Sequence, residues 1–201
     1  MKTLVLYAHP AQQHSRVNRT LAETAQQVAG VEVVDLYAEY PRFTIDIDRE
    51  QQRLRDHDAI VFQFPLMWYS TPPILKEWQD LVLEHGFAYG HGGTALSGKL
   101  WLCALTAGAP LTAYGPEGRH RMPLRSLLAP LETTANLCRM PFLPPYVLYG
   151  ALDATETRCM PHAEGYRHLL EALRDDRLDL AAARTLDHLT VETLPTVIKR
   201  G

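Results

Sequence analysis

Cysteine is scarce in this chain of 201 residues: Cys103, Cys138 and Cys159 are widely spaced and form no C-x-x-C pair. An odd, scattered set favours neither a disulfide framework nor a thiolate zinc site, and a reducing cytoplasm is the expected compartment. No run approaches the ~20 apolar residues that a membrane span needs. The first residues pass directly into an apolar run, without the charged, apolar and small-residue stretches of a leader. A basic cluster is also missing, and the formal net charge is -3. That balance argues against nucleic acid as a main partner and leaves small molecules or proteins. No G-x-G-x-x-G follows the first strand-like run, so a dinucleotide held by a Rossmann glycine turn is not indicated. No G-x-S-x-G elbow is present, which leaves a serine hydrolase built on Ser15 or Ser70 with His9 or His120 unsupported. His85 and His91 could be metal ligands in principle, but no set of acidic or thiol partners accompanies the pair, and no metal site is expected.

What is present is 46% hydrophobic content, enough to bury a sizeable core in one domain. Its centre is the stretch Asp58 to Trp78, DAIVFQFPLMWYSTPPILKEW. Ala59 to Phe64 reads as a fully buried parallel strand. Pro65 removes a backbone donor and ends it. Leu66, Met67, Trp68 and Tyr69 then form an irregular turn that places large side chains at a strand's carboxyl end. A helix follows, with Ser70 or Thr71 as N-cap, Pro72 or Pro73 in its first turn, and Leu75, Trp78, Leu81 and Val82 on one face to about Glu84. An aromatic loop there suits a flat, partly apolar ligand; the plain alternative is that Trp68 and Tyr69 plug the junction of helix and sheet.

The same unit recurs along the chain. Lys2 to Ala8 is a first strand, and its loop, His9 to Ser15, opens onto a helix from about Arg16 to Val28 with Val17, Leu21, Thr24 and Val28 on one face. The positive end of that helix is an anion site to which Ser15 and Asn18 add polar groups, unless Ser15 simply caps it. Val31 to Leu36 is the second strand, Tyr37 to Ile47 an extended connection, and Asp48 the cap of a short charged helix, Arg49 to Arg55. His85 to Thr94 is a glycine-rich loop that its aromatics argue is shaped. Lys99 to Thr106 is a fourth strand that opens into small residues, Thr106 to Pro110, where a ligand approaches the backbone closely. The loop runs on through Tyr114 and His120 to a helix over Leu124 to Ala135. Phe142 to Tyr149 is the fifth strand, interrupted by Pro144-Pro145, and Ala163 to Arg174 is a final amphipathic helix. Beyond Asp175 an appended helix and tail carry no assigned chemistry, so residues 1–175 read as the ligand-binding domain and 176–201 as an extension. Strands alternating with helices predict an α/β, doubly wound, five-stranded parallel sheet of flavodoxin-like order 2-1-3-4-5, helices on both faces. The loops after strands one, three and four then converge on one edge.

Four segments carry a family pattern: YAHP at Tyr7–Pro10 with SxxN at Ser15–Asn18, DLYAEYPRFTIDI at Asp35–Ile47, FPLMWYSTPPILKEWQD at Phe64–Asp80 and HGFAYGHGGTALSGK at His85–Lys99. Over about residues 1 to 175 the chain resembles the flavodoxin-like NAD(P)H:quinone oxidoreductases, above all the bacterial branch ancillary to glutathione-gated potassium-efflux systems. The resemblance implies a flavin, FMN or FAD, bound without covalent attachment, NAD(P)H as co-substrate and a quinone-like acceptor. It implies a homodimer with the site at the subunit interface, and docking on the cytoplasmic side of a potassium/proton antiporter. His9, Ser15 and Asn18 match the positions around the flavin phosphate and its neighbours. Pro65, Leu66, Met67, Trp68 and Tyr69 match the loop against the ring system. Thr106, Ala107, Gly108 and Ala109 match a loop usually reading T-T-G-G, with alanines for two of its residues. Tyr114 and His120 fall on the family's catalytic tyrosine and histidine at the flavin's pyrimidine edge. A binding module for an antiporter, with turnover incidental, is the competing expectation.

Overall fold

The central strands are apolar on both faces apart from a few polar residues, so they demand cover on both sides, and the chain supplies it. The computed structural model describes residues 1–11 and 15–199. Five strands, β1 (Thr3–Tyr7), β2 (Val31–Asp35), β3 (Ala59–Pro65), β4 (Leu100–Ala107) and β5 (Tyr146–Tyr149), form one parallel sheet in the order β2-β1-β3-β4-β5, as expected. Alternate residues go to opposite layers. Leu4, Leu6, Phe62, Phe64, Trp101 and Leu105 meet Trp78 and Leu131 on one face. Val5, Val61, Leu102 and Ala104 meet Leu21, Tyr166 and Leu170 on the other. Phe62 stacks on Trp101 with centroids 4.2 Å apart, and truncating such a buried aromatic costs about 3–5 kcal/mol.

The helices are α1 (Arg16–Gln26), α2 (Leu36–Glu39), α3 (Ile47–Asp56), α4 (Pro73–Val82), α5 (Leu124–Leu127), α6 (Ala129–Leu137), α7 (Glu156–Arg174) and α8 (Leu180–Ala183). Several boundaries depart from expectation for identifiable reasons. The connection after β2 starts as a helix because the Asp35 carboxylate accepts from the Tyr37 and Ala38 amides. Asp46, not Asp48, caps α3 by accepting from Arg49 N at 3.1 Å. Neither Ser70 nor Thr71 caps α4; Pro72 holds that position and Pro73 begins the helix, since a proline there loses no helical hydrogen bond. The helix expected over Leu124 to Ala135 is broken at Leu128 (φ -92°, ψ 3°), just ahead of Pro130, which has no amide to continue the ladder. The fifth strand shrinks to Tyr146–Tyr149, because Pro144-Pro145 leaves Phe142 only a single bridge to Trp101. The last long helix begins at Glu156, well before Ala163, and runs through Pro161 near its start.

The tail folds back on the sheet. Leu189 pairs in parallel with Tyr146, its carbonyl accepting from Val147 N at 3.0 Å, and Leu178, Ala183, Leu194 and Val197 are buried in the α1/α7 layer.

Candidate active site

The sheet register brings three loops level. Tyr7 lies beside Gln63, Pro65 beside Thr106 and Thr106 beside Leu148, so the chain leaves β1, β3 and β4 on one edge. Ala8 N donates to Gln63 O at 2.9 Å and Leu66 N to Thr106 O at 2.8 Å, which clamps the three exits together.

After β1, His9 is buried and its Nδ1 accepts from Ala11 N at 3.1 Å, leaving the ring's hydrogen on Nε2. Burial lowers the His9 pKa against the opposing pull of Asp35, so the ring is neutral. Gln12, Gln13 and His14 of the expected loop lie outside the described residues. Ser15 occupies the N-cap of α1 with extended backbone, yet its side chain makes no capping hydrogen bond. No acidic residue sits in the first turn, and Arg16 puts a cation at the positive end of the dipole, donating to Ala154 O. A helix start without a side-chain cap or a first-turn carboxylate, next to a guanidinium, is an electrostatic environment suited to an anion.

One turn later, Asn18 is 2% exposed and links two loops: its Nδ2 donates to Thr106 Oγ1 at 2.8 Å, and its backbone oxygen accepts from Gln63 Nε2 at 2.8 Å. Asn18 Oδ1 and Gln63 Oε1 are buried acceptors with no partner among the described residues. Gln63 is a site residue that sequence reasoning missed; its signal is a lone amide inside the apolar run AIVFQFP.

The turn after β3 is a tight two-residue hairpin. Met67 and Ser70 exchange hydrogen bonds of 3.0 Å in both directions, with Trp68 at φ 48° and Tyr69 at φ 66° between them. Both central residues in the left-handed region is the type I′ pattern, usually Asn-Gly, and two bulky aromatics there hold strain. Trp68 is 93% exposed, so it does not plug the junction.

His9, Ser15, Asn18, Pro65, Leu66, Met67, Trp68, Thr106 and Gly108 line one cleft of about 880 Å³. The cleft adds Arg16, Val17, Ala151, Leu152 and Ala154, none of them anticipated. Ala107 is fully buried in β4, and Ala109 spends its carbonyl on Gly150 N at 2.8 Å; neither lines the cleft. Tyr69, Tyr114 and His120 form a cluster of their own. The His120 ring lies 5.3 Å from Tyr69 and 4.7 Å from Tyr114, and Tyr69 Oη is 3.2 Å from His120 Nδ1. Burial raises the Tyr114 pKa, aided by Tyr69 and opposed by Arg119, which keeps its hydroxyl a donor at neutral pH. His85 and His91, by contrast, stand apart: His85 packs edge-on against Tyr89, and among the described residues no cluster of three or more His, Cys, Asp or Glu is placed to hold a metal.

A parallel 2-1-3-4-5 sheet with a polar and aromatic cleft at its carboxyl edge defines the flavodoxin class. The chain belongs to that family: the family model described as Flavodoxin-like fold matches residues 1–170. It is 50% identical over 169 residues to the glutathione-regulated potassium-efflux system ancillary protein KefG of Cronobacter sakazakii, covering 84% of this chain and 92% of that one. Among solved structures it is similar to general stress protein 14 of Treponema denticola in complex with FMN, with 34% identity, TM-score 0.78 and coverage of 88% and 99%. It is also similar to an NADPH-quinone reductase from P. pentosaceus, with 26% identity, TM-score 0.75 and coverage of 84% and 97%.

Proposed function

We propose that this chain is a flavin-dependent NAD(P)H:quinone oxidoreductase that holds FMN in the cleft and serves a potassium-efflux antiporter. The observation that carries the reading is the uncapped start of α1, facing the same cleft as the strained Trp68-Tyr69 turn. One end suits a phosphate and the other a planar ring. The cleft volume of about 880 Å³ falls within the range of single-cofactor sites. The buried acceptors Asn18 Oδ1 and Gln63 Oε1 fit a ligand that brings its own donors. FMN is preferred to FAD because the 34%-identical relative was solved with it.

When bound, the flavin supplies two-electron hydride chemistry between NAD(P)H and the acceptor. The chain's residues hold and polarise. The Ser15 hydroxyl, the free amides of α1 and Arg16 take the phosphate; Pro65 to Trp68 bear on the ring; Thr106 fixes Asn18 and so the α1 start against β4. Tyr114 and His120, in the cluster next to the cleft, would supply hydrogen-bond donors to the bound group, and removing one that acts in the transition state would cost on the order of 10²-fold in rate.

Exposed Met67, Trp68 and Leu152 form an apolar rim at the cleft mouth, which a second copy of the chain covers in a homodimer. No helix among the described residues is long and apolar enough to cross a membrane, and the chain reaches the membrane through its antiporter, on the cytoplasmic face. The name of the 50%-identical relative favours a second role, as a subunit that opens the antiporter whether or not it turns over. An absorption spectrum of the purified protein, followed by anaerobic NADPH and then a quinone, tests the enzyme reading. The expected result is a flavin spectrum that bleaches and recovers; a protein that takes up neither FMN nor FAD sinks it. Ion flux supported by a His120→Ala, Tyr114→Phe protein that no longer turns over would separate the two roles.

A further inference from the structure

Gln63 lies in the middle of the sheet with no exposed surface, between Phe62 and Phe64 in the apolar strand β3. Strand alternation puts it on the side of Val61, the side that α1 covers. A methionine or leucine would fill that space and bury no polar atom, whereas an amide there gives up its water. Only half of the amide is satisfied. Nε2 donates to Asn18 O at 2.8 Å, and Oε1 has no partner among the described residues. A carbonyl accepts and never donates, so the nitrogen is the end that faces Asn18. Burying a whole amide for one hydrogen bond adds little to stability, which places its effect in what that bond holds still.

What it holds is the first turn of α1. Asn18 is the third residue of that helix, after the N-cap Ser15. Its carbonyl is tied to β3 through Gln63, and its side chain to β4 through Thr106 Oγ1 at 2.8 Å. Ser15, Arg16, Val17 and Asn18 all line the cleft; Gln63 does not.

The apolar contacts of Val17 and Leu21 with the sheet carry no direction, and on their own they leave the helix free to turn or slide on its seat. A hydrogen bond from within the sheet has direction and removes that freedom. The free amides of the first turn thereby keep one heading toward the cleft. Charge-assisted bonds from such amides to a phosphate oxygen depend on that heading.

We infer that Gln63 is a positioning residue: from inside the sheet it fixes the first turn of α1, and so sets the affinity of the cleft for a phosphate monoester that it does not touch. That the monoester is FMN rests on the flavin reading above; the phosphate preference is tested apart from it.

The test is Gln63→Met, which keeps the length of the side chain and removes the amide, with denaturant melts as the control for folding. Binding of FMN is compared with binding of riboflavin, which has the same ring system and no phosphate. Wild type should bind FMN the more tightly of the two. Gln63→Met should lose on the order of tenfold in FMN affinity and leave riboflavin affinity unchanged. In flavin-free protein, inorganic phosphate should shift the backbone amide NMR signals of Arg16, Val17 and Asn18, with a higher midpoint concentration in the variant. Equal losses for FMN and riboflavin would make Gln63 a structural residue alone, and an unchanged FMN affinity would leave it without a role; either overturns the inference. A protein that takes up neither flavin overturns the flavin reading instead. The phosphate titration then decides for Gln63: a variant as responsive as wild type, or no shift at the α1 start in either protein, overturns the inference.

Discussion

Trp68 gains almost nothing from the fold that holds it, being 93% exposed at φ 48°. A residue that relaxes into the left-handed region should therefore stabilise the protein. Trp68→Asn is expected to raise unfolding free energy by about 1 kcal/mol and to weaken FMN binding at least tenfold, read by denaturant melts and by flavin titration. Stability unchanged and binding unchanged would mean that the turn is neither strained nor part of the site. Asn18 behaves in the opposite way. Asn18→Ala removes the bond to Thr106 Oγ1 and the buried amide, and should cost about 1–3 kcal/mol as well as FMN affinity. Both residues are legible in the sequence, because a polar residue just after a first strand and an aromatic pair just after a central one announce their place on the sheet edge. Gln63 and Arg16 are not. A single amide in an apolar strand reads as noise until β1 and Asn18 are beside it, and a basic residue at a helix start reads as surface until the bare helix end is seen.

The helices show the same division between local and long-range information. The α3 sequence, IDREQQRLRD, reads as a solvated charged helix, yet Glu50 within it is fully buried. Its carboxylate accepts from Tyr40 Oη at 2.7 Å and Trp78 Nε1 at 2.8 Å and pairs with Arg53, bolting α3 and the segment before it to α4. The partner Trp78 lies on another helix, and no periodicity within α3 encodes that meeting. Glu50→Ala leaves the Tyr40 hydroxyl and the Trp78 indole N–H unpaired in the interior, while Arg53 keeps Glu32, and should cost about 3–5 kcal/mol, visible as a large drop in thermal midpoint at pH 7; a drop below about 1 kcal/mol would show the clamp to be dispensable. Strand order and the cleft's edge are legible because they follow from alternation of strand and helix. Where helices stop is less so, since Pro130 and Pro144-Pro145 act on hydrogen bonds that depend on where the preceding turn has settled.

The tail ties the whole molecule's stability to pH. It closes over α7, where His162 is 2% exposed and stacked 4.3 Å from Tyr146, with Nε2 unpartnered among the described residues. Burial drives its pKa down to about 3; Glu192 of the tail pulls it up and Arg158 pushes it down, neither enough to matter against the loss of water. In the unfolded chain the same ring titrates near its ordinary value of ~6.5. Between those limits the unfolded chain holds a proton that the folded one refuses, so folding stability is complete above ~6.5 and is lost as pH falls toward 3. His9 and His188, whose pKa values burial also lowers, add losses of the same sign. His162→Phe keeps a flat ring on Tyr146 and has nothing to protonate. It should melt close to wild type at pH 7, and between pH 7 and pH 4.5 it should lose about 2–3 kcal/mol less than wild type does. Parallel acid slopes for the two proteins would show that His162 is not the group that refuses the proton, and would place the acid sensitivity at the other buried histidines.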